Sequence, residues 1–385
     1  MDNSGTAIRN LPGKPPPASA IPGHARAVVE PVPARTCALI LADEWRLAYR
    51  ALRCAALCFD RVCILGTRRA RPLARAASCH SFHDLPARRF DSSCVAIVRK
   101  LCHDLRVDVV MPGDTPTTRF LAAHAPLLGT RSYPVPDVTT FDLLNDKGTF
   151  MELCRLLDVP TPPTQIFLRK EQMLDRLREG ALRLPAVAKP TRMEGNRGVK
   201  KLLPGNAWKV AASLDYAPII TQEFINGRDL CAFYLCRDGV VKAQVLYHNG
   251  GHFLEFIEHP DVARLCARIV KATSYTGVIG FDIRERDHGD LYFLECNPRF
   301  WYNMELVMLA GLNFVELGLA DAAFRQASGL AGKVMVRPVG LLRRSPDASN
   351  GLASRLTVLG YLADDFPMMV SIALSKFCRM TLGSA

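Results

Sequence analysis

One short run near residue 295 limits this chain more than any other. Phe293-Leu294-Glu295-Cys296-Asn297-Pro298-Arg299 is an apolar strand that carries an acid and an amide two residues apart and halts at a proline. Side chains two apart on a strand point the same way, which puts Glu295 and Asn297 on one face. Carboxylate and amide oxygens are hard donors suited to Mg²⁺, which keeps water and phosphate oxygens in its remaining positions. Arg299 adds a planar fork for a carboxylate or phosphate beside them. A strand end with solvated polar residues is the commoner meaning of such a run taken alone, so the rest of the chain has to decide.

At 385 residues the chain can hold two or three domains, and 49% hydrophobic with 22% charged residues is ordinary for a globular protein. Thirteen cysteines follow no disulfide-framework spacing, and the N-terminal stretch has no apolar core of a signal peptide, so a reducing cytoplasm is expected. No uninterrupted run of about twenty apolar residues occurs, so no membrane partner is expected. The net charge of +12 raises nucleic-acid binding. The arginines are dispersed, however, and aromatics are not interleaved with them as base stacking requires. A diffuse positive surface suits an anionic small molecule, and no nucleic-acid partner is expected.

Residues 1–35, rich in Pro, Gly and Ala, read as a disordered leader. From 36 onward apolar strands at 37–41, 61–66 and 107–112 alternate with helical segments at 46–58 and 93–105. That alternation predicts a small parallel α/β domain over 36–140, although G-x-G-x-x-G is missing after its first strand. A second unit opens with a helix at Asp146-Lys147 that stops before Pro160, Pro162 and Pro163. Short strands recur at 164–168, 186–189, 199–203, 219–224, 230–236 and 240–247, read as one mixed, mostly antiparallel sheet with helices on one side. A helix over 261–273, strands over 277–286 and 291–296, and helices over 303–310 and 314–324 follow. The extension 331–385 carries a strand-like Val334-Met335-Val336 and an amphipathic stretch, 368–377.

Several segments could serve a nucleotide. Ala186-Val187-Ala188-Lys189-Pro190 ends an apolar strand on a lysine, and the following loop contains Gly195 and Gly198. Glycines let backbone N–H groups fold over phosphates while a lysine supplies point charge. The G-x-x-x-x-G-K-[ST] order of a P-loop is absent. The segment 219–229 is extended and ends in Asp229, so Gln222 or Glu223 can read a base edge and a carboxylate the ribose. Asp282 lies on the strand before Glu295 and is expected to oppose it, since antiparallel partners stand within about 5 Å. Asp114 either faces the cleft between domains or caps a turn, and His248 to His252 either line an acceptor pocket or form a surface loop. Cys79-His80-Ser81-Phe82-His83 looks strand-like, which sets its histidines on opposite sides and argues against a metal cluster.

In order and spacing these motifs resemble the ATP-grasp superfamily, in its carboxylate–amine ligase branch, with similarity to carbamoyl-phosphate-synthase-like and D-alanine-ligase-like domains. The residues that carry the resemblance are Asp146-Lys147, Val159-Pro160-Thr161-Pro162, Ala188-Lys189-Pro190 with its glycine loop, 222–229, Gly280-Phe281-Asp282, 294–299 and 310–313, within a span of 36–335. The resemblance implies an α/β (α+β) ATP-grasp fold at 141–330, with a lid-like part near 165–225 and a Rossmann-like domain before it. It implies Lys147 and Lys189 on ATP phosphates, with the loop of Gly195 and Gly198 closing over them. Gln222, Glu223, Phe224 and Ile225 would line the adenine pocket, with Asp229 on the ribose. Asp282, Glu295 and Asn297 would hold Mg²⁺, for which Mn²⁺ can substitute, and Arg299 would bind the substrate carboxylate or the transferred phosphoryl group. Asp229 and Asp282 stand where many members carry glutamate.

The activity implied is an ATP-dependent joining of a small-molecule carboxylate to an amine through an acylphosphate, with homo-oligomerisation left open. Two rival readings are an ATP-binding regulatory protein that does not ligate, and a basic nucleic-acid-binding protein.

Overall fold

The computed structural model describes residues 35–193, 197–320, 330–338, 341 and 348–365. The leader, Gly195 and the stretch 368–377 lie outside the described residues, as does the end of the helix expected over 314–324. Among the described residues there are three sheets.

The first sheet uses β1 (Arg35–Ala42), β2 (Phe59–Gly66), β3 (Ser81–Asp84), β4 (Val109–Pro112) and β5 (Arg131–Ser132), in the order β3-β2-β1-β4-β5 with parallel pairings. Helices α1 (Trp45–Ala55), α2 (Val95–Leu105), α3 (Thr115–His124) and α4 (Val138–Asn145) accompany it. β1 is apolar without alternation because both its faces are covered. Cys37, Leu39 and Leu41 enter one core cluster, while Ala38, Ile40 and Ala42 enter another. α3 opens on Thr115-Pro116-Thr117-Thr118, a run of poor helix propensity. Asp114 overrides it. Its carboxylate accepts from Thr117 N at 3.1 Å and Thr117 Oγ1 at 2.8 Å, and also from Asp43 N at 2.6 Å and Glu44 N at 2.8 Å. Asp114 therefore caps α3 and ties it to the β1–α1 turn.

Next come α5 (Lys147–Leu156), β6 (Thr164–Phe167), α6 (Lys170–Arg178), β7 (Ala186–Pro190), β8 (Lys200–Leu202), α7 (Ala207–Ala212) and β9 (Ile219–Glu223). Their strands form a sheet in the order β6-β9-β7-β8, with Met173 of α6 and Ala211 of α7 packed on Ala186, Ala188 and Leu202. The third sheet is built from β10 (Arg228–Arg237), β11 (Val240–Asn249), β12 (Phe253–Ile257), β13 (Gly277–Glu285), β14 (Leu291–Asn297) and β15 (Val334–Val336). Its order is β14-β13-β10-β11-β12-β15, with α8 (Pro260–Ala272), α9 (Met304–Leu309), α10 (Phe314–Leu319) and α11 (Ala348–Ala363) around it.

The single mixed sheet expected from the sequence is thus two antiparallel sheets. The break falls between β9 and β10. A Cβ on Gly227 would sit 2.2 Å from Glu285 O, so only glycine lets the chain press against β13 there and start a new sheet.

The register of β14 shifts between its pairings with Ile283 and Asp282: Ile283 pairs with Phe293 and Asp282 with Glu295, leaving Leu294 as the extra residue. Strict alternation would put Phe293 and Glu295 on one face. The bulge instead sends Phe293 and Cys296 into the core and Leu294 and Glu295 to the opposite face, where Asp282 stands.

The C-terminal helix closes the fold against the first domain. Asp365, just beyond α11, is fully buried and accepts from Tyr49 Oη at 2.8 Å, from Ala77 N at 2.5 Å and from Arg53. Among the described residues no helix is long and apolar enough to cross a membrane.

Candidate active site

The second and third sheets face each other across a cleft of about 430 Å³, joined at one end by the segment 224–227. Val187, Lys189 and Lys201 line it from one sheet, and Asp229, Asp282 and Glu295 from the other. Ala186 and Ala188 point into the core of the second sheet, so alternation along β7 turns Val187 and Lys189 towards the cleft.

Charges of both signs meet at its inner end. Lys147 is 7% exposed, and its Nζ donates to Met193 O at 2.9 Å and lies 3.3 Å from Glu295 Oε2. It reaches there because Asp146 caps α5, accepting from Gly148 N at 2.9 Å, and so fixes where the helix begins. Lys189, equally buried, donates to Leu294 O at 3.3 Å. Burial pulls its pKa down to about 8, with the Lys147 charge acting the same way and Glu295 opposing. Burial pushes Asp282 up to about 7, reinforced by the neighbouring Glu295. Glu295 goes the other way: burial would raise it, but Lys147 and then Lys189 hold it below the usual carboxylate range.

Asn297 and Arg299 extend the arrangement. Asn297 Nδ2 donates to Asp282 Oδ2 at 3.1 Å, and Arg299 Nη2 donates to Asn297 Oδ1 at 2.8 Å. The buried Arg299 is also braced by Nη1 donating to Phe300 O at 2.9 Å. Cys231, whose thiol burial pushes well up, donates to Asp282 Oδ1 at 3.3 Å.

Two opposed carboxylates, one of them pushed up by burial and then by its neighbour, form a site that a divalent cation would relieve. Among the described residues no cluster of three or more His, Cys, Asp or Glu side chains offers a metal centre. A donor set of two carboxylates and an amide fits an ion that completes its shell with water and phosphate oxygens, as Mg²⁺ does.

The remaining expected residues are placed unevenly. Gly198 has φ +75° and its carbonyl accepts from Tyr216 Oη at 2.6 Å, so it forms the turn into β8. Gln222 is buried, and its Nε2 donates to Met151 Sδ at 3.1 Å and to Thr164 Oγ1 at 3.4 Å, tying β9 to α5. Glu223 lies 3.8 Å from Arg286, and its N–H donates to Pro163 O at 3.0 Å. Phe224 carries Lys201 Nζ over its ring, 3.5 Å from the centroid. Ile225 is buried at the cleft. Asp229 is paired with Arg284 at 2.7 Å.

Lys201, Arg284 and Asn249 line the cleft and were not singled out in the sequence. Arg284 was within reach, because it lies two residues from Asp282 and the rule that joins Glu295 to Asn297 also joins these two. Asp114, considered for the cleft, is spent on its cap.

Solved structures share this fold. An N5-carboxyaminoimidazole ribonucleotide synthetase in complex with ADP superposes with a TM-score of 0.61 at 13% identity, over 79% of this chain and 81% of that one. This is the ATP-grasp fold. A second solved structure, the L-amino acid ligase from Bacillus licheniformis, gives 0.56 at 16% identity over 74% and 73% of the two chains. The biotin carboxylase domain of Hydrogenobacter thermophilus 2-oxoglutarate carboxylase, with MgADP, ADP and bicarbonate, gives 0.57 at 16% over 76% and 71%. In sequence, residues 216–335 match the family described as ATP-grasp in the biosynthetic pathway with Ter operon. No curated protein matches the chain in sequence.

Proposed function

We propose that the protein is an ATP- and Mg²⁺-dependent ligase that activates a small-molecule carboxylate as an acylphosphate and couples it to an amine. The observation that carries this reading is the meeting of Lys147 and Lys189 with Asp282 and Glu295 in one cleft between two sheets. Positive and acidic groups at such close range suit a polyphosphate held together with its cation.

Lys147 and Lys189 would bind phosphate oxygens and offset charge that spreads over the transferring group. Asp282, Glu295 and Asn297 would hold Mg²⁺, which supplies charge neutralisation at the phosphates. Arg299, held by Asn297 and Phe300, would keep the attacking carboxylate beside them, where its oxygen displaces ADP from the γ-phosphorus. The two lysines, already buried, would help keep water from the acylphosphate until an amine displaces phosphate from the acyl carbon.

The resemblance of residues 216–335 to an ATP-grasp family, and the ligases among the solved relatives, support the reading. The test is ADP release over mixtures of carboxylates and amines. ADP formed only when both are added is the expected result. Tight ATP binding without ADP release in any mixture would leave a nucleotide-binding protein that does not ligate.

A further inference from the structure

Asp229, expected on the ribose, receives a cation from β13. Asp229 and Arg284 are direct partners in the β10–β13 register, and Arg284 Nη2 lies 2.7 Å from Asp229 Oδ1. The same guanidinium donates from Nη1 to Gly227 O at 3.1 Å. Gly227 ends the segment joining the two sheets and lies close against β13, where an added Cβ would sit 2.2 Å from Glu285 O. Arg284 is thus held between β10 and the end of that segment, with its side chain 23% exposed, while the Asp229 side chain is 51% exposed. Both line the cleft.

A half-exposed aspartate explores several rotamers, and fixing one of them opposes ligand binding. A close ion pair with an arginine that is itself held on Gly227 O reduces that freedom in advance. It uses Oδ1 and leaves Oδ2 for a ligand. An ionised carboxylate only accepts hydrogen bonds, so its ligand must donate one, as a sugar hydroxyl does. The arginine also cancels a negative charge that would repel nucleotide phosphates.

We propose that Arg284 is a positioning residue that holds Asp229 on the sugar and makes the cleft select nucleotides with free ribose hydroxyls. The inference rests on the nucleotide reading of the cleft and names the part of the nucleotide that this pair reads.

The test measures binding of Mg²⁺-ATP, 2′-deoxy-ATP and 3′-deoxy-ATP to the full chain by calorimetry, for the wild type, Arg284→Lys and Arg284→Met. Ratios within one variant are unaffected by any loss of folded protein, and Arg284→Lys keeps the charge should Arg284→Met fail to fold. Wild type is expected to prefer ATP over at least one deoxy analogue by about tenfold, the worth of one hydrogen bond to a charged group. Arg284→Met should bind all three within about twofold of each other, with the lysine variant between, since it keeps charge but not the fork. An unchanged ratio in both variants overturns the proposal, as does a wild type that binds the three equally. A wild type that binds none of them overturns the nucleotide reading itself.

Discussion

Asp114, buried, and Asp282, partly buried at the cleft, are both carboxyls pushed up to about 7, chiefly by desolvation, yet their surroundings differ in kind. Asp114 accepts from three backbone N–H groups and a threonine hydroxyl, all within the first domain. Asp282 accepts from a thiol and an amide and faces Glu295 across the sheet, and Glu295 in turn is held down by two lysines. A perturbed carboxyl is therefore not a functional mark on its own. Asp114 is satisfied by neighbours that position a helix, whereas Asp282 is opposed by a second acid that a helix cap would never need.

The strongest way to break this contrast is at Glu295. Glu295→Gln should lower ADP release at least about a hundredfold, the scale on which one electrostatic partner of a transition state counts, while thermal unfolding stays near that of the wild type. Near-normal turnover in the folded variant would remove the distinction between the two acids. Chelating divalent cations should likewise stop ADP release, with Mg²⁺ restoring it. Activity that persists in excess chelator would show that the acid pair serves another purpose.

A paired comparison sharpens it further. Asp114→Ala leaves several buried donors without an acceptor and should cost about 1–3 kcal/mol in a denaturant titration, with ATP affinity of the folded fraction unchanged. Asp282→Asn relieves a like-charge pair and should keep stability close to wild type while losing Mg²⁺-dependent nucleotide binding. The reverse pattern would exchange the roles of the two residues.

The smallest effect is the pH dependence of the structural acid. A carboxyl whose pKa is raised on folding favours the folded state most at low pH, and that contribution fades as pH rises from its ordinary 3.8 to about 7. The stability gap between wild type and Asp114→Ala should therefore narrow over that interval and stay level above it. A gap that widens instead would mean that the hydrogen bonds to the carboxylate outweigh its burial.

Much of the cleft was legible because it rests on local rules. Lys189 ends an apolar strand whose alternate residues fill a core, and Asp146 beside Lys147 is a helix cap followed by helix-spaced apolar residues. The opposition of Asp282 and Glu295 also follows from two strands joined by a short turn. Other features depend on contacts distant in sequence. Gln222 lines the cleft, and its amide donates to Met151 beneath β9, a contact between residues 71 apart in sequence. Arg284 meets Asp229 only because β13 pairs with β10, across more than fifty residues of intervening chain. The one-sheet expectation failed because short antiparallel strands look alike, and only the close approach of Gly227 to Glu285 shows where one sheet ends.

By itself, then, the sequence determined which residues carry charge at strand and helix ends, and the run from Phe293 to Arg299 was sufficient to bring Glu295 and Asn297 to one face. Side-chain direction along a strand is set by the backbone's period of two, which needs no partner. Only the tertiary structure decided that β14 bulges at Leu294, so that Phe293 goes to the core while Glu295 turns to Lys147. A bulge exists only in relation to the strand it pairs with, and the ion pair only in relation to a helix about 150 residues earlier, so neither is written in the run itself.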